Sequence, residues 1–250
     1  MAERVAYGVT LPSKGMFYGS KVPDGKVELC PIRVLEEKLL AGSPGTGSDK
    51  MNILISHCLK SPQINPKELL LVDRMFILYY LTMISYGNKR EFAVLCTNPE
   101  CKKKFKHTTD LQKFEVEYCP EDVTEPYDIS LPVCGDIVSV KFLRGNDETE
   151  IIEMSKQLRR TDDNKKKKKI TKGDLAILVL SLPVVTVNGQ EMDNEEKVEW
   201  IENLIGQDAD FLRESFSKYD FGVDLTVGVS CSDCGNEFEV EFPSEEFFRF

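Results

Sequence analysis

Apolar residues between Asn65 and Gly87 recur at helical spacing, with Leu70, Leu71, Ile77, Leu78, Leu81 and Ile84 spread over more than one face. Such all-round hydrophobicity marks a helix buried at the centre of a core. The pattern predicts one long helix, opened by Asn65-Pro66 and closed at Ser85-Tyr86-Gly87. Asp73 and Arg74 interrupt it, so it does not read as a membrane span, and the pair is expected to act as a polar anchor in or beside the core. Upstream, residues 1–25 read as an arm without helix or strand, because Leu11-Pro12-Ser13-Lys14-Gly15-Met16-Phe17-Tyr18-Gly19 mixes turn formers with aromatics. Lys26 to Ile32 alternates as a short strand. Val34 to Leu40 follows as an amphipathic helix whose acidic pair, Glu36-Glu37, is assigned to a solvated face. Gly42 to Ser48 is a linker; without a following Gly-Lys-Ser/Thr or a leading strand it is no phosphate loop. Asp49 caps a helix to about Lys60.

The second half alternates short strands with helices. Tyr127 to Leu131 and Ile137 to Phe142 read as strands around Cys134-Gly135-Asp136, and Asn146 or Asp147 caps a helix to about Arg160. Residues 161–169 carry five consecutive lysines and almost nothing apolar, which predicts a mobile, solvated loop. A helix from Lys172 to Ser181, a hairpin turn at Val187-Asn188-Gly189-Gln190, and a helix opened by the capping box Asp193/Glu196 come next. A helix over Asp208 to Lys218 and a strand over Val223 to Val229 complete the pattern.

The chemistry lies in an internal echo. Cys96 and Cys101 are followed by Phe105 and Phe114; Cys231 and Cys234 are followed at the same steps by Phe238 and Phe247. A strand-like run precedes each pair, Phe92-Ala93-Val94-Leu95 in one copy and Val227-Gly228-Val229 in the other, so each copy reads as strand, cysteine turn, strand. Two such knuckles can place four thiolates around one Zn²⁺ in a closed tetrahedral site, which is structural because no position remains for a substrate. One structural zinc per chain, held by Cys96, Cys101, Cys231 and Cys234, is therefore expected. A redox role for Cys231-Ser-Asp-Cys234 would need the motif to open a helix, whereas Glu237 to Phe242 alternates as a strand. Cys30, Cys58, Cys119 and Cys134 have no ligand spacing and are assigned as reduced, buried residues. His107 is assigned to the surface rather than to the metal.

The fold class is thus α+β, mostly helical with short antiparallel strands and a bipartite zinc ribbon. It divides into the arm 1–25, a helical region 26–90, a first knuckle 91–118, an inserted region 119–221 containing the lysine loop 161–169, and a second knuckle with an aromatic tail, 222–250. A formal charge of −10 over 250 residues and a pI near 4.9 disfavour nucleic acid, whose phosphates need a basic surface. No signal peptide and no membrane partner are expected, and eight cysteines in a chain expected to stay inside the cell suit a reducing cytosol. Two histidines and no catalytic motif point away from an enzyme.

Leu11-Pro12-Ser13-Lys14-Gly15 with Phe17-Tyr18, Ile32-Arg33 with Glu36-Glu37-Lys38-Leu39-Leu40, Asp49-Lys50 leading to Cys58, Leu71-Val72-Asp73-Arg74, Ser85-Tyr86-Gly87 and the knuckle that follows belong together. Over residues 8–110 the chain resembles the bacteriophage T4-type baseplate proteins that act in assembly of the tail baseplate hub. One departure is the four residues, rather than two, between Cys96 and Cys101. The resemblance implies a non-enzymatic hub subunit or assembly chaperone whose partners are other phage baseplate hub proteins, working in the host bacterial cytoplasm or retained in the virion. The competing reading is a zinc-ribbon regulator that binds nucleic acid through Lys102-Lys103-Lys104 or the lysine loop.

Overall fold

The computed structural model describes residues 4–42, 47–160 and 171–248, arranged as two units. Residues 1–64, 72–118 and 221–250 form unit 1; residues 65–71 and 119–220 form unit 2. The lysine loop, residues 43–46 of the linker and Arg249-Phe250 of the aromatic tail lie outside the described residues. The class is α+β: short antiparallel strands and, among the described residues, seven α-helices.

Unit 1 begins with a strand where an arm without strand was expected. β1 (Tyr7–Thr10) pairs antiparallel with β2 (Lys26–Leu29), Tyr7 opposite Leu29. Then come α1 (Val34–Gly42), α2 (Gly47–Cys58) and β3 (Leu59–Ser61), whose pairing with β2 completes a three-stranded sheet. The stretch from Leu11 to Gly25 folds back so tightly that two glycines stack backbone on backbone. Gly15 has φ +76°, and a Cβ there would lie 2.3 Å from the Val22 carbonyl oxygen and 2.6 Å from the Gly25 nitrogen. Gly15→Ala is therefore expected to cost about 2 kcal/mol or more, from positive-φ strain plus displaced backbone, read as a loss of melting temperature.

α1 buries Leu40, as its apolar pattern predicts, but turns the rest of that pattern outward and Glu36 inward. Val34 and Leu35 are 77% and 53% exposed, while Glu36 is 1% exposed. Its carboxylate accepts from the Arg33 backbone N–H at 2.8 Å and from Arg33 Nη2 at 2.6 Å, with Arg4 Nη1 at 3.6 Å. Burial raises the pKa of Glu36, but the Arg33 hydrogen bonds outweigh it and hold the group down to about 2. Arg4 is seated by the carbonyls of His57 and Pro31. Glu36 is thus a buried ion-pair centre, not a residue of a solvated face.

α3 (Leu71–Tyr86) is the buried centre of unit 1, with Phe76, Ile77, Leu78, Tyr79 and Leu81 all inaccessible. Asp73 and Arg74 are both fully buried, as an anchor should be. Asp73 accepts the Ser13 N–H at 3.0 Å and the Tyr18 hydroxyl at 2.5 Å, which ties the N-terminal stretch to the helix. Arg74 donates to Asn52 Oδ1 at 2.7 Å and Ser48 Oγ at 3.3 Å. Next come β4 (Lys89–Leu95), β5 (Lys104–Asp110) and β6 (Val116–Glu117).

In unit 2, Asn65 caps only a single 3₁₀ turn, Pro66–Glu68. The expected long helix therefore starts late, because Leu69 and Leu70, both fully buried, run extended: Leu70 bridges Arg144, and Gly145 N–H donates to the Leu69 carbonyl. Further on, β7 (Tyr127–Ser130) and β8 (Ile137–Val140) form a hairpin, followed by α4 (Gly145–Arg160), α5 (Lys172–Ser181), β9 (Val184–Val187) and β10 (Gln190–Glu191). The sheet order is β10-β9-β8-β7. Asp147 lies inside the first turn of α4 instead of capping it, and accepts from the Arg144 N–H and Lys141 Nζ. The Asn188-Gly189 turn has positive φ at both residues, and the Asp193/Glu196 capping box opens α6 (Asn194–Glu202). α7 (Gly206–Ser215) places Leu212 against the sheet core of Ile129, Leu131, Val138 and Val184.

The chain then returns to unit 1 as β11 (Gly222–Val223), β12 (Thr226–Ser230) and β13 (Glu237–Glu241). β11 pairs with β6. The later phenylalanines of the two echoed copies meet here: Phe114 and Phe247 pack on Phe242 with ring centroids 5.8 and 5.1 Å away, and Phe92 packs on it at 5.2 Å.

Candidate metal centre

Two hairpins of unit 1 deliver the four cysteines. The β4–β5 ladder ends at the pair Leu95–Lys104, and the turn beyond it carries Cys96 and Cys101. Cys96 N–H donates to the Lys103 carbonyl at 2.9 Å, and the extra residues of the C-x₄-C spacing are absorbed by bonds from Cys101 and Lys102 N–H to the Asn98 carbonyl. The β12–β13 ladder ends at Ser230–Glu237, and its turn carries Cys231 and Cys234. There Cys231 N–H donates to the Asn236 carbonyl at 2.8 Å and Gly235 N–H to the Cys231 carbonyl at 2.9 Å. Gly235, at φ +70°, supplies the left-handed residue that this tight turn requires.

The four sulfurs lie within 4.8 Å of one another. Cys96 Sγ is 3.7 Å from Cys234 Sγ, and Cys101 Sγ is 3.9 Å from Cys231 Sγ. A tetrahedron with Zn–S bonds of about 2.3 Å has S···S edges of about 3.8 Å, so the donor set fits zinc. The separations are also far beyond a disulfide bond of about 2.05 Å. Cys96 and Cys231 are buried, Cys101 is half-buried and Cys234 is exposed.

The surroundings charge the sulfurs unequally. The backbone N–H groups of Cys234 and Asp233 point at Cys231 and lower its pKa to about 7. For Cys101 the Lys103 N–H acts in the same sense, but burial and the three neighbouring sulfurs outweigh it and push the thiol up to about 12. Burial raises Cys96 as well. Four thiolates this close repel one another unless a cation lies between them, so a metal ion would release protons as it binds. Three side-chain contacts join the knuckles: Lys103 Nζ to Asp233 Oδ1 at 2.5 Å, Asn236 Nδ2 to Thr97 Oγ1 at 3.1 Å, and Asn98 Nδ2 to Cys234 Sγ at 3.8 Å. Sequence spacing carried no sign of these contacts, since their members are 130 or more residues apart.

Cys30, Cys58 and Cys119 are buried, as expected; Cys134 is exposed, contrary to expectation, because it sits at the tip of the β7–β8 hairpin. His107 is not among the clustered ligands: it stands edge-on to Phe92, with ring centroids 5.8 Å apart.

The sequence profile of a family described as the T4 bacteriophage base plate protein matches residues 10–249, nearly the whole chain and both knuckles. The chain belongs to this family. No protein of curated function and no solved structure matches it. In this base plate protein no helix among the described residues is long and apolar enough to cross a membrane. The match runs well beyond residues 8–110, where the resembling motifs lie, and takes in unit 2 and the second knuckle.

Proposed function

We propose that the chain is a non-enzymatic baseplate protein acting in assembly of the tail baseplate hub, as hub subunit or assembly chaperone, with other baseplate hub proteins as partners. In this reading one Zn²⁺ held by Cys96, Cys101, Cys231 and Cys234 joins the two knuckles and has no catalytic part. The observation that carries it is the convergence of four sulfurs at tetrahedral spacing in a chain of the base plate family. The site of action is the host bacterial cytoplasm during tail assembly, or the finished tail. Against nucleic-acid binding, Lys103, the middle of the three knuckle lysines, faces Asp233, and the nearby Lys106 faces Glu91.

Affinity capture of a tagged chain from infected cells tests the role. Baseplate hub proteins should co-purify, and mass spectrometry of finished tails then separates subunit from chaperone. Capture of nucleic acid that is lost as salt rises, with no baseplate protein, would favour the regulator instead. Phe17 offers a second test. Its half-buried ring packs on Phe221 at 6.5 Å, so Phe17→Ala is expected to cost about 2 kcal/mol. The variant should melt earlier or give fewer infectious tails on complementation.

A further inference from the structure

The turn Leu131–Asp136 in unit 2 repeats the turn Cys231–Asn236 bond for bond. Leu131 N–H donates to the Asp136 carbonyl at 2.9 Å and Gly135 N–H to the Leu131 carbonyl at 3.2 Å; the matching bonds of the metal knuckle measure 2.8 and 2.9 Å. Gly135 and Gly235 have φ of +76° and +70°. The hairpins that carry the turns share their register, Ile129–Val138 then Ser130–Ile137 against Val229–Phe238 then Ser230–Glu237. Cys134 and Gly135 hold the places of Cys234 and Gly235. Only the first ligand differs: Leu131 stands where Cys231 would, and its side chain joins the apolar core of unit 2.

In the second metal knuckle the N–H groups of Asp233 and Cys234 point at the sulfur of Cys231. In the unit 2 turn the equivalent N–H groups, those of Val133 and Cys134, donate to Asp208 Oδ1 at 2.8 Å and Asp208 Oδ2 at 3.0 Å. Asp208 is fully buried and reaches the turn from α7, 74 residues further along the chain. An acceptor from a side chain therefore occupies the focus of both turns, the Cys231 sulfur in one and the Asp208 carboxylate in the other.

We propose that Leu131–Asp136 is a third knuckle, in which the carboxylate of Asp208 takes the seat of a metal-bound thiolate, so that unit 2 closes its turn without metal while unit 1 depends on it. The dependence of unit 1 rests on the zinc reading above; the role of Asp208 does not. Metal loss would then loosen the β4–β5 and β12–β13 hairpins and leave the β7–β8 hairpin standing.

Trp200 makes this measurable in the full chain. It is the only tryptophan, it belongs to unit 2, and its Nε1 donates to Asp136 Oδ2 at 3.2 Å, at the foot of the third knuckle. Hydrogen exchange and Trp200 emission are followed with and without a chelator, with zinc content assayed in parallel. Chelation should speed exchange in residues 89–110 and 226–241 by about tenfold or more, leaving Trp200 emission and residues 127–140 unchanged. Asp208→Ala should do the reverse: about tenfold faster exchange at Val133 and Cys134, with zinc retained. Asp208→Asn, which keeps one acceptor oxygen, should fall between and serves if the alanine variant does not fold. Unchanged protection of Val133 and Cys134 in the Asp208 variants would overturn the third knuckle, and equal loosening of both units by chelator would overturn the metal independence of unit 2. Absence of zinc from the untreated protein overturns the metal reading alone, and the Asp208 variants then decide the knuckle by themselves.

Discussion

Replacing Cys231 with serine is expected to abolish zinc binding and to lower the melting temperature by about 10–20 °C. Cys231 is 2% exposed, and its sulfur faces two backbone N–H groups besides lying 3.9 Å from Cys101 Sγ. A metal there would join segments 130 residues apart, so the unfolded chain would gain much freedom on its loss. Structural zinc is worth about 10–16 kcal/mol of apparent binding energy in peptides that fold only around it. Unit 1 also has an aromatic core around Phe242, so a smaller loss of about 5 kcal/mol is expected, at about 2–4 °C per kcal/mol for a chain of this size. Metal analysis and calorimetry of the untagged protein measure both effects. Because loading displaces protons from thiols such as Cys101, zinc affinity should fall as pH is lowered. An untagged protein without zinc, or a Cys231→Ser variant that keeps it, would sink the assignment.

Asp73→Ala should be the most damaging change away from the cysteines, at about 3–4 kcal/mol. It removes the acceptor of two buried donors at once, the Ser13 N–H and the Tyr18 hydroxyl, and the loss of a buried acceptor costs about 1–3 kcal/mol per bond. Tyr18→Phe removes one of the two bonds together with its donor and should cost only about 1 kcal/mol. Burial raises the pKa of Asp73, and the hydrogen bonds from Ser13 and Tyr18 only partly oppose it. With the folded value above the unfolded one, the contribution of this group is fully present below an unfolded pKa of about 4 and is lost as pH rises through the folded value. The wild type should therefore gain on an Asp73→Asn variant as pH is lowered, as read from denaturant midpoints. An Asp73→Ala variant that melts within a degree or two of wild type would mean that the N-terminal stretch is held by other contacts.

What the sequence determined by itself was whatever a few neighbouring residues settle among themselves. The Asp193/Glu196 capping box, the Asn188-Gly189 turn and the burial of α3 are of this kind, since spacing along the chain fixes which groups can meet. The knuckles were legible for the same reason, and their duplication identified four cysteines whose sulfurs the fold brings together. Tertiary structure decided every feature whose partner lies far along the chain. Tyr7–Thr10 is a strand because β2 lies beside it, and Leu69-Leu70 leave the helical path to pair around Arg144. Glu36 turns inward, against the amphipathic pattern of its own helix, where Arg4 from far back in the chain joins the neighbouring Arg33. Asp208 is the clearest case: nothing near it in sequence marks it, and only the folded chain sets its carboxylate before two backbone N–H groups of a turn whose first cysteine position is a leucine. A backbone donor is satisfied by whichever acceptor the fold brings to it, so local pattern can reveal the turn but not the group that fills it.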